Sequence, residues 1–370
     1  MGNRIKLLMT IADLSGGGAE RVFSNLLFRL PRDKFDIYPV LWRPIFHYPC
    51  PDDLTVNILE KHRPWHAPRV VFRLRRYIDE IKPDVVLSAL KYTNILTGEA
   101  IALSKWKPPW ICKMDNAPES EIRGLYFLWA KKVYRRATRV VSSSRGVGKA
   151  AVEYLGLDPG RVVIIYNLLD FDQIARMVEE PLPIKRAEDS FIIVHAGRLH
   201  PQKNQAMLLR AFSKMRHKNS ELWILGQGKL EKSLKALAFE LAITDRVKWL
   251  GFQKNPFPFF KAADCFALSS DWEGFGNVIV EAMFCGTPVV ATDCPYGVNE
   301  IIENGKTGLL VPTGDIEAFS DALGSIAAES GLRKRLAESA RNSVMANFNP
   351  KTILKQYESV IVETASGANR

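Results

Sequence analysis

Two glutamates eight positions apart, Glu273 and Glu281, flank a Gly274-Phe275-Gly276 turn and the start of an apolar helical stretch, Asn277–Cys285. Glu281 lies among Val280, Ala282 and Met283, where an unpaired carboxylate is costly. Vicinal hydroxyls, as on a ribose, would give that carboxylate two hydrogen bonds to accept, and Glu273 could hold hydroxyls of a second, more exposed sugar. A helix-capping glutamate plus a helix–helix ion pair is the alternative. Two cations, Arg198 and Lys203, stand five apart in Gly197-Arg198-Leu199-His200-Pro201-Gln202-Lys203-Asn204. On a strand-to-helix loop both can converge on one anion at the carboxyl edge of a parallel sheet; otherwise they are solvated surface charges. Gly226-Gln227-Gly228 follows the next strand and faces the same edge. Near the N-terminus, Gly16, Gly17 and Gly18 precede Ala19-Glu20-Arg21 at a strand-to-helix junction. Such glycines admit a ligand close to the backbone, and a helix N-terminus favours an anion; a plain tight turn is the other reading. The segment is neither a G-x-G-x-x-G fingerprint nor a P-loop.

Short, continuously apolar, β-branched runs position these residues. The first series is Lys6–Ile11, Asp36–Leu41, Asp84–Ser88, Trp110–Lys113, Arg139–Ser142 and Val162–Ile165; the second is Phe191–Ala196, Glu221–Leu225, Val247–Leu250, Cys265–Leu268, Pro288–Ala291 and Gly308–Val311. Runs without polar alternation are what parallel strands covered on both faces require. Helical periodicity separates them, at Ala19–Leu30, Val71–Ile81, Asn204–Met215, Leu230–Glu240 and Asn277–Cys285. Strand–helix alternation twice over predicts an α/β chain of two doubly wound, Rossmann-like domains. The expected division is 1–175, 185–348 and a closing helix within 349–364 that crosses back to the first domain, with Ile353, Leu354, Tyr357 and Ile361 on one face.

The chain has 370 residues, 47% hydrophobic and 25% charged, which excludes disordered, collagen-like and small disulfide-stapled classes. Five cysteines without C-x-x-C spacing read as reduced thiols rather than a metal or disulfide framework. No secretory signal is evident, since the run Ile5–Ile11 is short and broken by Lys6 and Thr10. The net charge is +11, and residues 1–180, with 28 Lys+Arg against 20 Asp+Glu, carry +8 of it. A basic excess of this size points to an anionic partner.

Glycines 16–18 with Glu20-Arg21, Gly197-Arg198-Leu199 with Lys203-Asn204, and the pair Glu273/Glu281 with Ala282-Met283 resemble family 4 retaining glycosyltransferases of GT-B fold. The likeness continues through Gly286-Thr287-Pro288-Val289-Val290-Ala291-Thr292 and Asn304–Pro312. It spans essentially the whole chain. The resemblance implies two domains facing a central cleft, whose closure assembles the site. It implies that Arg198 and Lys203 neutralise the diphosphate of a nucleotide sugar without a metal ion or other cofactor. Glu281 would bind the ribose and Glu273 the transferred sugar, with backbone N–H groups around Phe275, Gly276 and Asn277. Gly197 and Gly228 would belong to the donor site, Leu250 and Phe252 would flank the base, and Gly16–Gly18 would close on the phosphates and admit the acceptor. Many relatives carry a histidine after the strand equivalent to Trp110–Lys113, where this chain reads Lys113-Met114-Asp115-Asn116. Asp115 there either touches the sugar, polarises the acceptor or makes a structural turn.

The basic surplus has an expected use. A helix over Arg69–Ile81 places Val70, Val71, Leu74 and Ile78 on one face with Arg69, Arg73 and Arg76 beside it. Trp65, Trp106 and Trp110, and Gly124–Trp129 followed by Lys131, Lys132, Arg135 and Arg136, add aromatic and cationic groups. That combination suits an anionic membrane surface or a lipid pyrophosphate; ordinary packing under solvated arginines is the alternative. No nucleic-acid reader motif accompanies it. The expectation is a bacterial cytoplasmic enzyme on the inner membrane face, moving a sugar from UDP, with GDP next, to a lipid-linked or glycan acceptor. A soluble sugar-phosphate or glucan synthase of the same fold is one rival. A non-catalytic nucleotide-sugar-binding docking protein is the other.

Overall fold

The computed structural model describes residues 4–60, 63–122, 124–187 and 189–367. Two compact units emerge, one comprising residues 1–169 with 350–370 and the other 170–349. The first is built on β1 (Ile5–Ile11), β2 (Phe35–Leu41), β3 (Asn57–Ile58), β4 (Val85–Ala89), β5 (Trp110–Met114), β6 (Arg139–Ser142) and β7 (Val162–Ile164), in the order β3-β2-β1-β4-β5-β6-β7. The second holds β8 (Phe191–Ala196), β9 (Ser220–Leu225), β10 (Val247–Gly251), β11 (Cys265–Leu268), β12 (Val289–Thr292) and β13 (Leu309–Val311), in the order β10-β9-β8-β11-β12-β13. Every strand pair is parallel. The central strands β4, β5, β8 and β11 are buried at every position, the consequence of helices on both faces.

Both sheets reverse strand order beside their first strand, at β1/β4 and at β8/β11. Loops leaving the carboxyl ends at such a point diverge and leave room for a ligand. The glycines at 16–18 follow β1, and Arg198 and Lys203 follow β8.

Besides shifts of a residue at several strand ends, three features depart from the sequence expectation. The two-residue strand Asn57–Ile58 pairs with Val40 and Leu41 and is too short to register as a period. The helix expected from Arg69 starts at Ala67, with Pro68 in its first turn, where a missing N–H costs nothing. The first unit ends at Leu169 rather than 175, because the helix Phe171–Met177 packs into the second unit, Phe171 stacking on Phe284 at 4.5 Å. The closing helix Pro350–Gly367 lies in the first unit against β4 and β5, burying Ile353, Tyr357, Val360 and Ile361.

Candidate active site

In the second unit, two loops that leave neighbouring strands β8 and β11 are stitched together before any functional side chain is placed. Ser269 Oγ donates to the carbonyls of Lys203 at 2.9 Å and Asn204 at 3.0 Å. Asn204 Nδ2 donates to Asp271 Oδ1 at 2.8 Å, and Gln202 Nε2 to the Trp272 carbonyl at 2.9 Å. This brings the sequence-distant Lys203 and Glu273 into an ion pair, Nζ to Oε1 2.5 Å, and Ser270 Oγ donates to the same oxygen at 2.6 Å. The two side chains are only 14% and 7% exposed, so solvent screens the pair weakly.

Glu273 does not sit at the helix start. It lies four residues ahead of Asn277, bridged to Tyr296, while Gly276 at φ +105° forms the N-cap. Tyr296 itself has φ +92°, a backbone cost of about 1–3 kcal/mol that the surrounding hydrogen bonds must sustain. Glu281 is 2% exposed in the helix Asn277–Phe284. Burial, with the Glu281 charge second, pushes the Cys285 thiol up to about 12. Phe275 contributes only backbone to any ligand, since its ring is 2% exposed and meets Phe348 edge-on.

The glycine turn after β9 closes the same corner. Gly226, at φ +140°, lies so near Gly197 that a Cβ would stand 1.9 Å from the Gly197 carbonyl oxygen. A Cβ at Gly228 would similarly meet Leu199 O at 2.3 Å. Gly226 N–H donates to Gly251 O at 2.7 Å, which draws Leu250 and the 41%-exposed Phe252 to the same edge. Arg198 is exposed and makes no ion pair among the described residues. Of the sequence-predicted residues, Gly197, Arg198, Lys203, Gly228, Leu250, Phe252, Glu273, Phe275, Gly276, Asn277 and Glu281 all belong to this unit.

The glycine loop after β1 belongs to the first unit. Gly16 has φ +98° and its carbonyl accepts from Tyr48 Oη at 3.2 Å, while Ser15 N–H donates to the buried Asp13 Oδ1 at 3.0 Å. A Cβ at Gly17 would meet Glu20 Oε2 at 2.3 Å, so a carboxylate already leans on the N-terminus of the helix Gly18–Arg29, and an arriving anion must displace it.

Asp115 is not a free carboxylate. Lys113, 1% exposed in the middle of the first unit, pairs with Asp115 Oδ1 and donates to Asn167 Oδ1 at 2.9 Å. Asp115 Oδ2 is buried and has no hydrogen-bond partner among the described residues. Lys91, Asn94, Asp115, Asn116 and Glu121 line a recess of about 20 Å³, and one water needs ~10–15 Å³. Leu90 on its rim has φ +75°. A lysine inside an apolar strand carries no periodic signal, so sequence reasoning passed over Lys113.

The basic surface is also narrower than expected. Trp110 is 2% exposed and donates from Nε1 to Ser88 Oγ at 2.8 Å, so it is core. Arg73 is held by Glu60 Oε2 at 2.7 Å and the Leu59 carbonyl, and Arg136 by Glu99 at 3.3 Å. Exposed groups that remain include Trp65, Phe72, Trp106, Leu128, Trp129, Arg76, Lys132 and Arg135, with Arg69 exposed but 4.0 Å from the same Glu60 oxygen. No helix among the described residues is long and apolar enough to cross a membrane.

Two family models account for most of the chain: Glycosyltransferase Family 4 matches residues 16–173, and Glycosyl transferases group 1 matches residues 179–343. The chain belongs to this glycosyltransferase family. The glycosyltransferase is 28% identical to N-acetylgalactosamine-N,N'-diacetylbacillosaminyl-diphospho-undecaprenol 4-alpha-N-acetylgalactosaminyltransferase of Campylobacter jejuni, over 92% of this chain and 95% of that one. Its fold matches Anabaena Alr3699/HepE, solved with UDP and glucose, at a TM-score of 0.82 and 21% identity over 97% of this chain and all of that one. It likewise matches sucrose-phosphate synthase of Thermosynechococcus elongatus at 0.84 and 18% identity, over 98% and 100%. The two parallel sheets are therefore those of the GT-B architecture.

Proposed function

We propose that this glycosyltransferase moves a sugar from a nucleoside diphosphate, UDP before GDP, to a lipid-linked or glycan acceptor in bacterial surface polysaccharide assembly, with retention at the anomeric carbon. The observation that carries the donor assignment is the buried Lys203–Glu273 pair with Ser270 on the same carboxylate, and on the same loop an exposed Arg198 that makes no ion pair among the described residues. Arg198 and Lys203 neutralise the diphosphate, a role that needs no metal ion. Glu273 accepts from the sugar hydroxyls and Glu281 from the ribose, with Asn277 and Gly276 offering backbone N–H groups. The acceptor oxygen bonds to the anomeric carbon as the bond from that carbon to the phosphate breaks. The proton of the acceptor hydroxyl passes to the departing phosphate oxygen on the same face. Catalysis is then positioning and charge stabilisation. Asp115 Oδ2, buried beside a hydroxyl-sized recess, accepts from a sugar or acceptor hydroxyl.

The names of similar proteins support the finer terms: UDP and glucose in the HepE structure, and a diphospho-undecaprenol-linked substrate for the C. jejuni enzyme. Thermal stabilisation by UDP, GDP, ADP and TDP and their sugars, without added metal, tests the donor site. A midpoint rise confined to one base, larger with one sugar attached, is the expected result; no shift with any of them overturns it. Binding without transfer to any acceptor would favour the non-catalytic reading.

The exposed face around the helix Ala67–Ile81 docks on an anionic cytoplasmic leaflet. Arg69 and Arg76 are exposed there beside Phe72 at 57% and Trp65 at 67%, over which Arg63 stacks at 5.1 Å. Basic residues near such a surface contribute about 1 kcal/mol each. Vesicles containing phosphatidylglycerol should pellet the protein at low salt, and Trp65→Ala with Phe72→Ala should reduce the bound fraction. Absence of pelleting even at low salt would favour a soluble acceptor, as for a sugar-phosphate synthase.

A further inference from the structure

Gln205 opens the helix Gln205–Lys214 and is 1% exposed, yet it does not cap that helix. Asn204 does, accepting from Met207 N–H at 3.2 Å. The Gln205 amide reaches back across the loop instead: Nε2 donates to the Arg198 carbonyl at 2.8 Å and lies 3.2 Å from His195 Nε2. Chemistry fixes the sense of the second contact. His195 Nδ1 is 2.9 Å from the Ala267 carbonyl, and a carbonyl only accepts, so Nδ1 carries the proton and Nε2 offers a lone pair. An amide turned end for end would set its oxygen against two acceptors, so the Arg198 carbonyl and the neutral imidazole together hold the NH2 end of Gln205 toward Arg198. Complete burial, the dominant cause, lowers the His195 pKa to about 4 and keeps the ring neutral near pH 7.

The Arg198 carbonyl and the Leu199 N–H belong to one peptide group. That N–H donates to the Gln227 carbonyl at 3.0 Å, and just ahead Gly197 N–H donates to Leu225 O at 2.9 Å. The peptide plane after Arg198 is thus held at both ends, which fixes the direction in which the side chain leaves the backbone. The guanidinium itself is exposed and has no ion pair among the described residues, so the fold controls it through this peptide.

We infer that Gln205, its amide oriented by His195, is a positioning residue that aims the Arg198 guanidinium at the bound diphosphate. The inference rests on the proposed donor site.

A double-mutant cycle on UDP affinity separates this role from simple packing. Arg198→Ala should weaken UDP by about 10–100-fold, the range for one charged hydrogen bond. Gln205→Met, which keeps the volume and removes the hydrogen bonds, should weaken UDP by about tenfold. The double variant should bind no worse than Arg198→Ala alone. His195→Leu removes the acceptor that orients the amide and should show the same coupling with a smaller loss, which guards against one substitution failing to fold. Losses that multiply, or a Gln205→Met protein that binds UDP like the wild type, overturn the inference while the donor site stands. A wild-type protein that binds no nucleoside diphosphate removes the donor site and the inference together.

Discussion

Sugar transfer by a Lys203→Met variant is expected to fall by about 10²–10³-fold in kcat/KM, the cost of losing one preorganised charge at a reacting centre. Two effects combine in that loss. The ammonium proposed to meet the departing phosphate is gone, and Glu273, whose side chain is 7% exposed, keeps Ser270 Oγ but loses its counter-charge. The second effect also costs stability, because a buried carboxylate without its partner is penalised. Glu273→Gln separates the two: it leaves Lys203 in place while removing the negative charge proposed to accept from the sugar. It should lower kcat while nucleotide binding survives. Steady-state kinetics on both variants, with melting midpoints as the control for folding, check this. A Lys203→Met enzyme within fivefold of the wild type would sink the assignment.

Lys113→Met is expected to be the most damaging single change in the first unit, at roughly 3–5 kcal/mol, the range for breaking a buried ion pair from one side. The lysine is 1% exposed and its ammonium has two acceptors, Asp115 Oδ1 and Asn167 Oδ1. Without it the Asp115 carboxylate loses its counter-charge while its second oxygen already has no partner among the described residues. Removing both charges, as Lys113→Met with Asp115→Leu, should recover most of the loss, since the desolvation of each ion disappears with it. Hydrogen exchange of the β5 amides reports the opening free energy of this unit without requiring two-state unfolding of the whole chain. A single variant within 1 kcal/mol of the wild type would show that the pair contributes little.

The expected strand cores were legible because buried parallel strands advertise themselves: β8 runs apolar from Phe191 to Val194 and is followed by Gly197, and β5 opens with Trp110-Ile111-Cys112 between Pro109 and Asp115. The loops bearing Arg198 and Lys203 were legible for the same reason, since a cation pair between an apolar strand and a helix has few structural uses. Elements below the length of a period were not, as the strand Asn57–Ile58 shows. Nor was the fate of individual polar residues. Trp110 reads as an aromatic neighbour of a basic patch until Ser88 takes its indole N–H in the core. Arg73 reads as a surface cation until Glu60 neutralises it.

By itself the sequence determined two doubly wound sheets, the strand ends at which the candidate residues lie, and the residue types that could meet a phosphate and a sugar. These follow from periodicity and glycine placement, which are local properties of the chain. Only the tertiary structure decided that Lys203 and Glu273 share a bond across 70 residues, that Asp115 is already engaged by Lys113, and that His195 and Gln205 hold the Arg198 peptide. The reason is physical: a charge or hydrogen bond acquires its strength from burial and from the partner a distant loop delivers. Neither quantity is written in the spacing of residues along one chain.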